Sequence, residues 1–187
     1  MADNDKGAAA GPIHPTADQV VEAYLRQMRK DARRGTDFDA VALGLLMLFL
    51  SDDIMRSVAK RLEPYAISEK KLDVLLLFTA RESHGTIADP PTPTSIAEYM
   101  NVTRASATGV LDWLETRGLI GRKDHPTDRR SIQTEITPKG RELVARVLPT
   151  FSSACADLAA GLTQRDRADL QRLLGKVWNR IKRVEPH

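Results

Sequence analysis

Residues 103–139 read "TRASATGVLDWLETRGLIGRKDHPTDRRSIQTEITPK", and the order of signals in that run decides the fold. Thr103 stands where a helix N-cap belongs, and Ala107, Val110, Leu111 and Leu114 then recur at i, i+3, i+4 and i+7, the spacing of one buried helical stripe. Gly118 supplies a C-terminal stop. Ile120–Lys123 and Ser131–Thr137 are short β-like runs, and in the second Ile132, Thr134 and Ile136 share one face. The "DHPTDRR" between them is too polar to pack inward, so the two runs read as a hairpin with an exposed tip.

Upstream, "PTSIAEYM" predicts a short helix ending at Met100. Its start is either Thr92 as N-cap with Pro93 at the first position, or a capping box of Ser95 and Glu98. Asn101–Val102 make the turn into the Thr103 helix. A helix, a turn, a second helix and a hairpin form a winged helix-turn-helix, so the expected fold class is mostly α with a small β-wing. Downstream, Thr137–Pro138 starts a long helix expected to kink or break at Pro149. Thr163 with Asp166 caps a last helix, along which Leu170, Leu173, Leu174, Val177 and Ile181 form one stripe.

Before the motif, three more helices are expected. One starts at Thr16 and is closed by Gly35; a second runs from Asp37–Asp39 to Leu62 and stops at Pro64. A third covers Ser68 to Glu82 and is apolar nearly all round, so it belongs at the centre of the domain. The expected organisation is a disordered tail (1–15), an extra N-terminal helix (16–36), a dimerisation helix (37–66), the winged helix-turn-helix (67–138) and C-terminal dimerisation helices (139–187). The most apolar run, "VALGLLMLFL" from Val41 to Leu50, makes only about 15 Å of helix, half of a bilayer's hydrocarbon thickness, and reads as a buried helix. The opening "MADNDKGAAAGP" lacks the order of a signal peptide. A cytoplasmic protein with no membrane partner is expected.

At 187 residues the chain suits one domain, and a formal charge of +3 does not by itself demand nucleic acid. Placement is more informative. From Val102 to Arg141 there are eight basic and five acidic residues, so this segment holds the entire surplus of three and the rest of the chain balances. On the Thr103 helix the face opposite the stripe presents Arg104, Ala105, Ser106, Thr108 and Gly109. Small and hydroxylic residues let a helix lie deep in a major groove, where hydroxyls bond base edges or phosphates and arginine forks onto guanine. The same face would also suit packing against another helix, and the loop alone would suit a solvated turn with a weak ion pair. In succession the two favour DNA: Arg129 and Arg130 at the tip suit a narrow minor groove, with Asp128 orienting a guanidinium. Arg122 and Lys123 add cations on the first strand.

The motifs "IAEYM", "LETRGLI", Asp128-x-Arg130 and "ITPKGREL" together closely resemble the DNA-binding core of the MarR (multiple antibiotic resistance regulator) family. With the flanking helices, including "YAISEKKLDVLLLF", the resemblance covers Asp39 to Arg183. It implies a winged-helix homodimer whose first and last helices interlock, acting as a ligand-tuned transcription regulator, usually a repressor. It also implies that the wing arginine, best matched by Arg130, enters the minor groove. The residues themselves support a dimer, because the Val41–Leu50 run and the last stripe carry more apolar surface than one chain of this shape covers.

Family pockets lie between the dimerising helices and the winged domain, where Met47, Phe49, Met55 and Trp113 fall. In the similar urate-responsive branch a tryptophan on the extra helix, an aspartate and arginines line the pocket. The nearest matches here are Tyr24, Asp73 and Arg81, while the arginine expected on the recognition helix falls near Val110. Those two departures speak against urate. The candidate effector contacts are therefore Met47, Asp73 and Trp113. Peroxide-sensing members place a cysteine near the first core helix, whereas Cys155 lies on a late apolar helix and reads as an inert buried thiol. The four histidines have no ligand spacing, so neither a metal nor a cofactor is expected. No nucleophile triad, phosphate loop or catalytic carboxylate pair is legible, and an enzyme is not expected. The alternative reading is a winged-helix interaction module without sequence-specific DNA binding.

Overall fold

The computed structural model describes residues 15–84, 91–124 and 132–184. Along them run α1 (Ala17–Met28), α2 (Phe38–Leu62), a 3-10 turn (Glu63–Tyr65), α3 (Glu69–His84), α4 (Pro93–Met100), α5 (Arg104–Thr116), β1 (Ile120–Asp124), β2 (Ile132–Ile136), α6 (Pro138–Asp157) and α7 (Gln164–Val184). The class is the expected one, mostly helical with a hairpin after a helix-turn-helix. The chain divides into two compact units between Met55 and Arg56. Among the described residues no helix is long and apolar enough to cross a membrane.

In the first unit, Thr16 and Gln19 form a reciprocal capping box at the start of α1. The helix stops at Met28, short of the Gly35 expected to close the segment. Apolar spacing ends at Met28, and Lys30 and Asp31 already turn back with three-residue hydrogen bonds to Gln27 and Met28. Residues 29–34, charged at every position but Ala32, have no apolar face to bury, so nothing offsets the entropy of extending the helix. Asp37 caps α2 by accepting from the Asp39 and Ala40 amides at 3.1 and 3.0 Å. Leu25 and Leu45 are buried, and the Tyr24 and Phe49 rings meet at 5.0 Å. Within the single chain only Leu45 of the Val41–Leu50 run is buried, and Leu43, Leu46, Leu48 and Leu50 stay exposed. A helix apolar on most sides needs cover on most sides, and α1 has the apolar residues for one stripe only.

In the second unit, α3 occupies the centre as expected. Leu72, Val74, Leu75 and Phe78 are fully or almost fully buried, together with Leu62, Ile96, Ala107, Leu114 and Val147. β1 and β2 pair antiparallel, with Ile120 opposite Ile136 and Arg122 opposite Thr134. α6 begins immediately after β2 and packs tightly against the end of α5's loop: a Cβ on Gly140 would run into the Leu119 carbonyl and the Ile136 side chain. Only glycine lets the helix come this close. α6 continues through Pro149 to Asp157 without breaking. Buried Val147 and Ala154 on either side of the proline hold the helix in place against the loss of one amide donor. Ala154 takes the inward position, so its neighbour Cys155 turns outward and is exposed, not buried as the apolar sequence suggested.

Candidate nucleic-acid interface

Two short helices and a two-residue turn build the site. Thr92, not Ser95, caps α4: its hydroxyl accepts from the Ser95 amide, and Ser95 bonds back to the Thr92 amide at 2.8 Å, with Pro93 at the first position. Asn101 closes α4 in the left-handed conformation at φ 51°, which asparagine tolerates because its side chain is short and polar. Thr103 then caps α5 by accepting from the Ser106 amide at 3.2 Å.

α5 has two sharply different faces. Ala107 and Leu114 are fully buried, with Val110 and Leu111 half-buried beside them. Arg104, Ala105, Ser106 and Gly109 are exposed and Thr108 is half-buried. The expected reading face therefore stands outward as one continuous strip. Three of its hydroxyls are partly engaged. Thr103 and Ser106 share a 2.9 Å hydroxyl–hydroxyl bond, and the Thr108 hydroxyl donates to the Arg104 carbonyl at 2.9 Å. A hydroxyl donating to backbone still has lone pairs to accept from a base. Arg104, the cation at the helix start, is exposed.

The other end of α5 is fastened. The Trp113 ring lies 4.0 Å from the Lys71 ammonium of α3 and 4.0 Å from the Arg117 guanidinium. Lys139 of α6 donates to the Arg117 carbonyl at 2.8 Å, and the Thr137 hydroxyl donates to the Gly118 carbonyl at 2.7 Å. Gly118 takes φ +67° at the turn into β1. Free carbonyls at a helix C-terminus thus find donors from the start of α6. Of the expected wing cations, Arg122 and Lys123 lie in β1, paired with Thr134 and Gln133. Asp128, Arg129 and Arg130 lie outside the described residues.

Of the expected effector contacts, Trp113 and Asp73 line different cavities of the second unit. Met47 belongs to α2 in the first unit, half-buried. Trp113 lines a cavity of about 220 Å³ with Tyr65, Arg117, Lys139, Leu143 and Arg146. Asp73 lines a different one of about 540 Å³. There Asp73 pairs with Glu69, one turn earlier on α3. Burial, then the charge of Asp73 and its hydrogen bond, raise the Glu69 carboxyl above its ordinary range; burial likewise raises Asp73, against the lowering effect of the bond from Glu69. The pair was missed from sequence, although two carboxylates at i, i+4 are like charges on one face and announce themselves by spacing. Lys71, Lys139 and Arg117, which hold α5, carried no such signal. Among the described residues no group of three or more histidines, cysteines and acids is placed to hold a metal ion.

The sequence matches the model of the MarR family over residues 86–132. It is 30% identical over 163 residues to the HTH-type transcriptional repressor YetL of Bacillus subtilis, covering 84% of this chain and 95% of YetL. Two solved structures share the fold. A MarR mutant from E. coli complexed with operator DNA superposes with a TM-score of 0.61 at 24% identity, over 74% of this chain and 95% of that one. CouR from Rhodococcus jostii, bound to p-coumaroyl-CoA, gives 0.59 at 23% identity, over 72% and 90%. With a helix-turn-helix, a wing and this similarity along nearly the whole of YetL, the chain belongs to the MarR family.

Proposed function

We propose that the protein is a cytoplasmic, homodimeric transcriptional regulator that binds a near-palindromic double-stranded operator, represses, and is released by a small-molecule effector. The observation that carries the reading is the outward strip of α5, where Arg104, Ala105, Ser106 and Gly109 are exposed while Ala107 and Leu114 are fully buried. Small side chains let the helix axis approach the bases, and the fastened C-terminal end holds the helix at one pitch. Thr103 and Thr108 complete the strip. Arg122, Lys123, Arg129 and Arg130, with Asp128 orienting a guanidinium, supply the wing's contacts to phosphate and the minor groove.

Residues 67–138 form the DNA-binding domain in this proposal, and 37–66 with 139–187 form the dimer. The exposed leucines of α2 and α7 favour an isologous partner, because an unpartnered apolar stripe of that length is costly in water. Residues 16–36 hold the extra helix. The repressor role is drawn from YetL, and an effector from CouR, whose solved structure holds p-coumaroyl-CoA. Of the effector candidates, Asp73 is kept as the ligand contact and Trp113 is assigned to holding α5; Met47 remains on the dimerising helix.

The test is selection of bound duplexes from a randomised pool by the full-length protein near physiological salt. The expected result is an enriched near-palindrome with half-sites about one helical turn, roughly 34 Å, apart. Weak, salt-sensitive binding with no enriched sequence overturns the proposal in favour of an interaction module.

A further inference from the structure

The cavity walled by α3, α4 and α7 contains no residue of the α5 strip. At about 540 Å³ it falls within the range of small-molecule sites. Its lining has an uncommon chemistry. α3 contributes Glu69 and Asp73, two acids one helical turn apart that line the same cavity. Burial raises both carboxyls above their ordinary range, so each holds its proton more tightly than a free acid does. Glu98 adds a third acid from α4, next to the Tyr99 ring, and α7 supplies Trp178. The Lys182 ammonium lies over the Trp178 ring, 5.5 Å from its centre, so one wall already carries a cation on an aromatic face. Trp178 and Lys182 stand on the flank of α7's leucine stripe, not in it, by the 100° advance per helical residue.

We propose that this cavity binds a small organic cation with an apolar body, its charge against the Glu69–Asp73 pair and its body between Tyr99 and Trp178. A metal ion would use neither ring, and the described residues offer no metal-ligating cluster. An anion would face Glu69, Asp73 and Glu98, with Lys70 and Lys182 as the cations of the lining, so acids outnumber bases there. A cation arriving at the pair favours the ionised carboxyls, so a proton bound there leaves to solvent, and binding and proton release are linked. Burial raises the proton affinity of both carboxyls, and the charge of Asp73 adds to the rise on Glu69, which fits that exchange. The other charged or titratable groups facing the pair are Lys70 on α3, Glu98 and Tyr99 on α4, and Lys182 on α7. The inference names a ligand class for the effector reading above and rests on that reading only for its consequence on DNA.

The probe is benzyltrimethylammonium, whose permanent charge leaves the protein as the sole source of protons, with benzyl alcohol as the neutral control. Calorimetric titration of the full-length protein in two buffers of different ionisation enthalpy should show the cation binding, the alcohol not, and proton release on binding. Affinity should fall as the pH is lowered from about 8 to about 5, because the proton competes. Asp73→Asn and Trp178→Leu should each weaken binding about tenfold, and Asp73→Asn should reduce the proton release, with unchanged helical circular dichroism. Failure to bind, equal binding of the alcohol, or Asp73→Asn binding with the wild-type pH profile overturns the site. Addition of the probe to the complex with the selected operator reads the effector role separately: binding of the probe without release of DNA keeps the site and sinks the effector reading.

Discussion

α3 and α7 both carry leucines at helical spacing, yet the chain treats them oppositely. On α3, Leu72, Val74 and Leu75 have no exposed surface and Phe78 has 2%. On α7, Leu170, Leu173, Leu174 and Ile181 retain 44–54%, and no residue of the helix is buried. α3 is enclosed by helices from the same chain, whereas α7 offers one apolar stripe with Arg, Lys, Asp and Gln around the rest. Helical periodicity therefore identifies a face that needs cover without saying which molecule supplies it. The first half of α2, with Leu43, Leu48 and Leu50 exposed, repeats the lesson. In our proposal the missing cover is a second copy of the chain.

The comparison breaks first at α3. Phe78→Ala removes a fully enclosed ring and should cost about 3–5 kcal/mol of stability, read from the shift in denaturation midpoint. A loss below about 1 kcal/mol would mean that α3 is not the centre of the unit. On α7, Leu173→Asp with Leu174→Asp places two charges in the exposed stripe. The helical signal should survive while dimerisation weakens by about 3 kcal/mol or more, so that sedimentation equilibrium reports the 20.7 kDa chain instead of twice that mass. If the doubly charged variant stays dimeric, the stripe is not the interface and the contrast between the two helices has another cause.

Much of the local structure was legible because a cap is a local device. Thr16, Thr92, Thr103, Thr137 and Thr163 each bond within three residues, so spacing alone exposes them. The hairpin and the recognition stripe were equally local. What escaped was either long-range or a choice between neighbours. Nothing in the sequence brings Lys71 to Trp113, 42 positions on, or Lys139 to the Arg117 carbonyl. Cys155 and Ala154 are adjacent small residues on one helix, and which faces inward depends on the rotation of α6. The helical reading of Val41–Leu50 was sound, and so was its surplus of apolar surface; which leucines stay uncovered within one chain was not legible from an apolar run.

The two ends of α5 extend the contrast to the DNA site, one end bare and one fastened. Arg104→Ala, at the bare end, should change the preferred bases and cost on the order of 1–3 kcal/mol at the affected position. Arg130→Ala in the wing should weaken operator and random duplex alike, and flatten the salt dependence by about one unit of slope. Repeating the duplex selection with each variant separates them. Unchanged base preference in the first sinks the reading face, and unchanged affinity in the second sinks the wing contact.

The smallest effect returns to α3, whose buried face is apolar while its edge carries the Glu69–Asp73 pair. Both carboxyls are raised in the folded chain, foremost by burial. A raised group binds its proton more tightly folded than unfolded. Its contribution is therefore fully present below the ordinary carboxylate range and is lost as the pH climbs through the raised values. Asp73→Asn keeps the shape and supplies a permanent amide donor to Glu69, so it removes one ionisation without breaking the contact. The variant should match the wild type below about pH 4 and become more stable toward neutrality, by at most about 1 kcal/mol because the pair is partly open to water. Urea midpoints measured across that range decide it. A difference that does not vary with pH, or a variant that is weaker at neutrality, would show that the pair is held by packing and carries no stored repulsion.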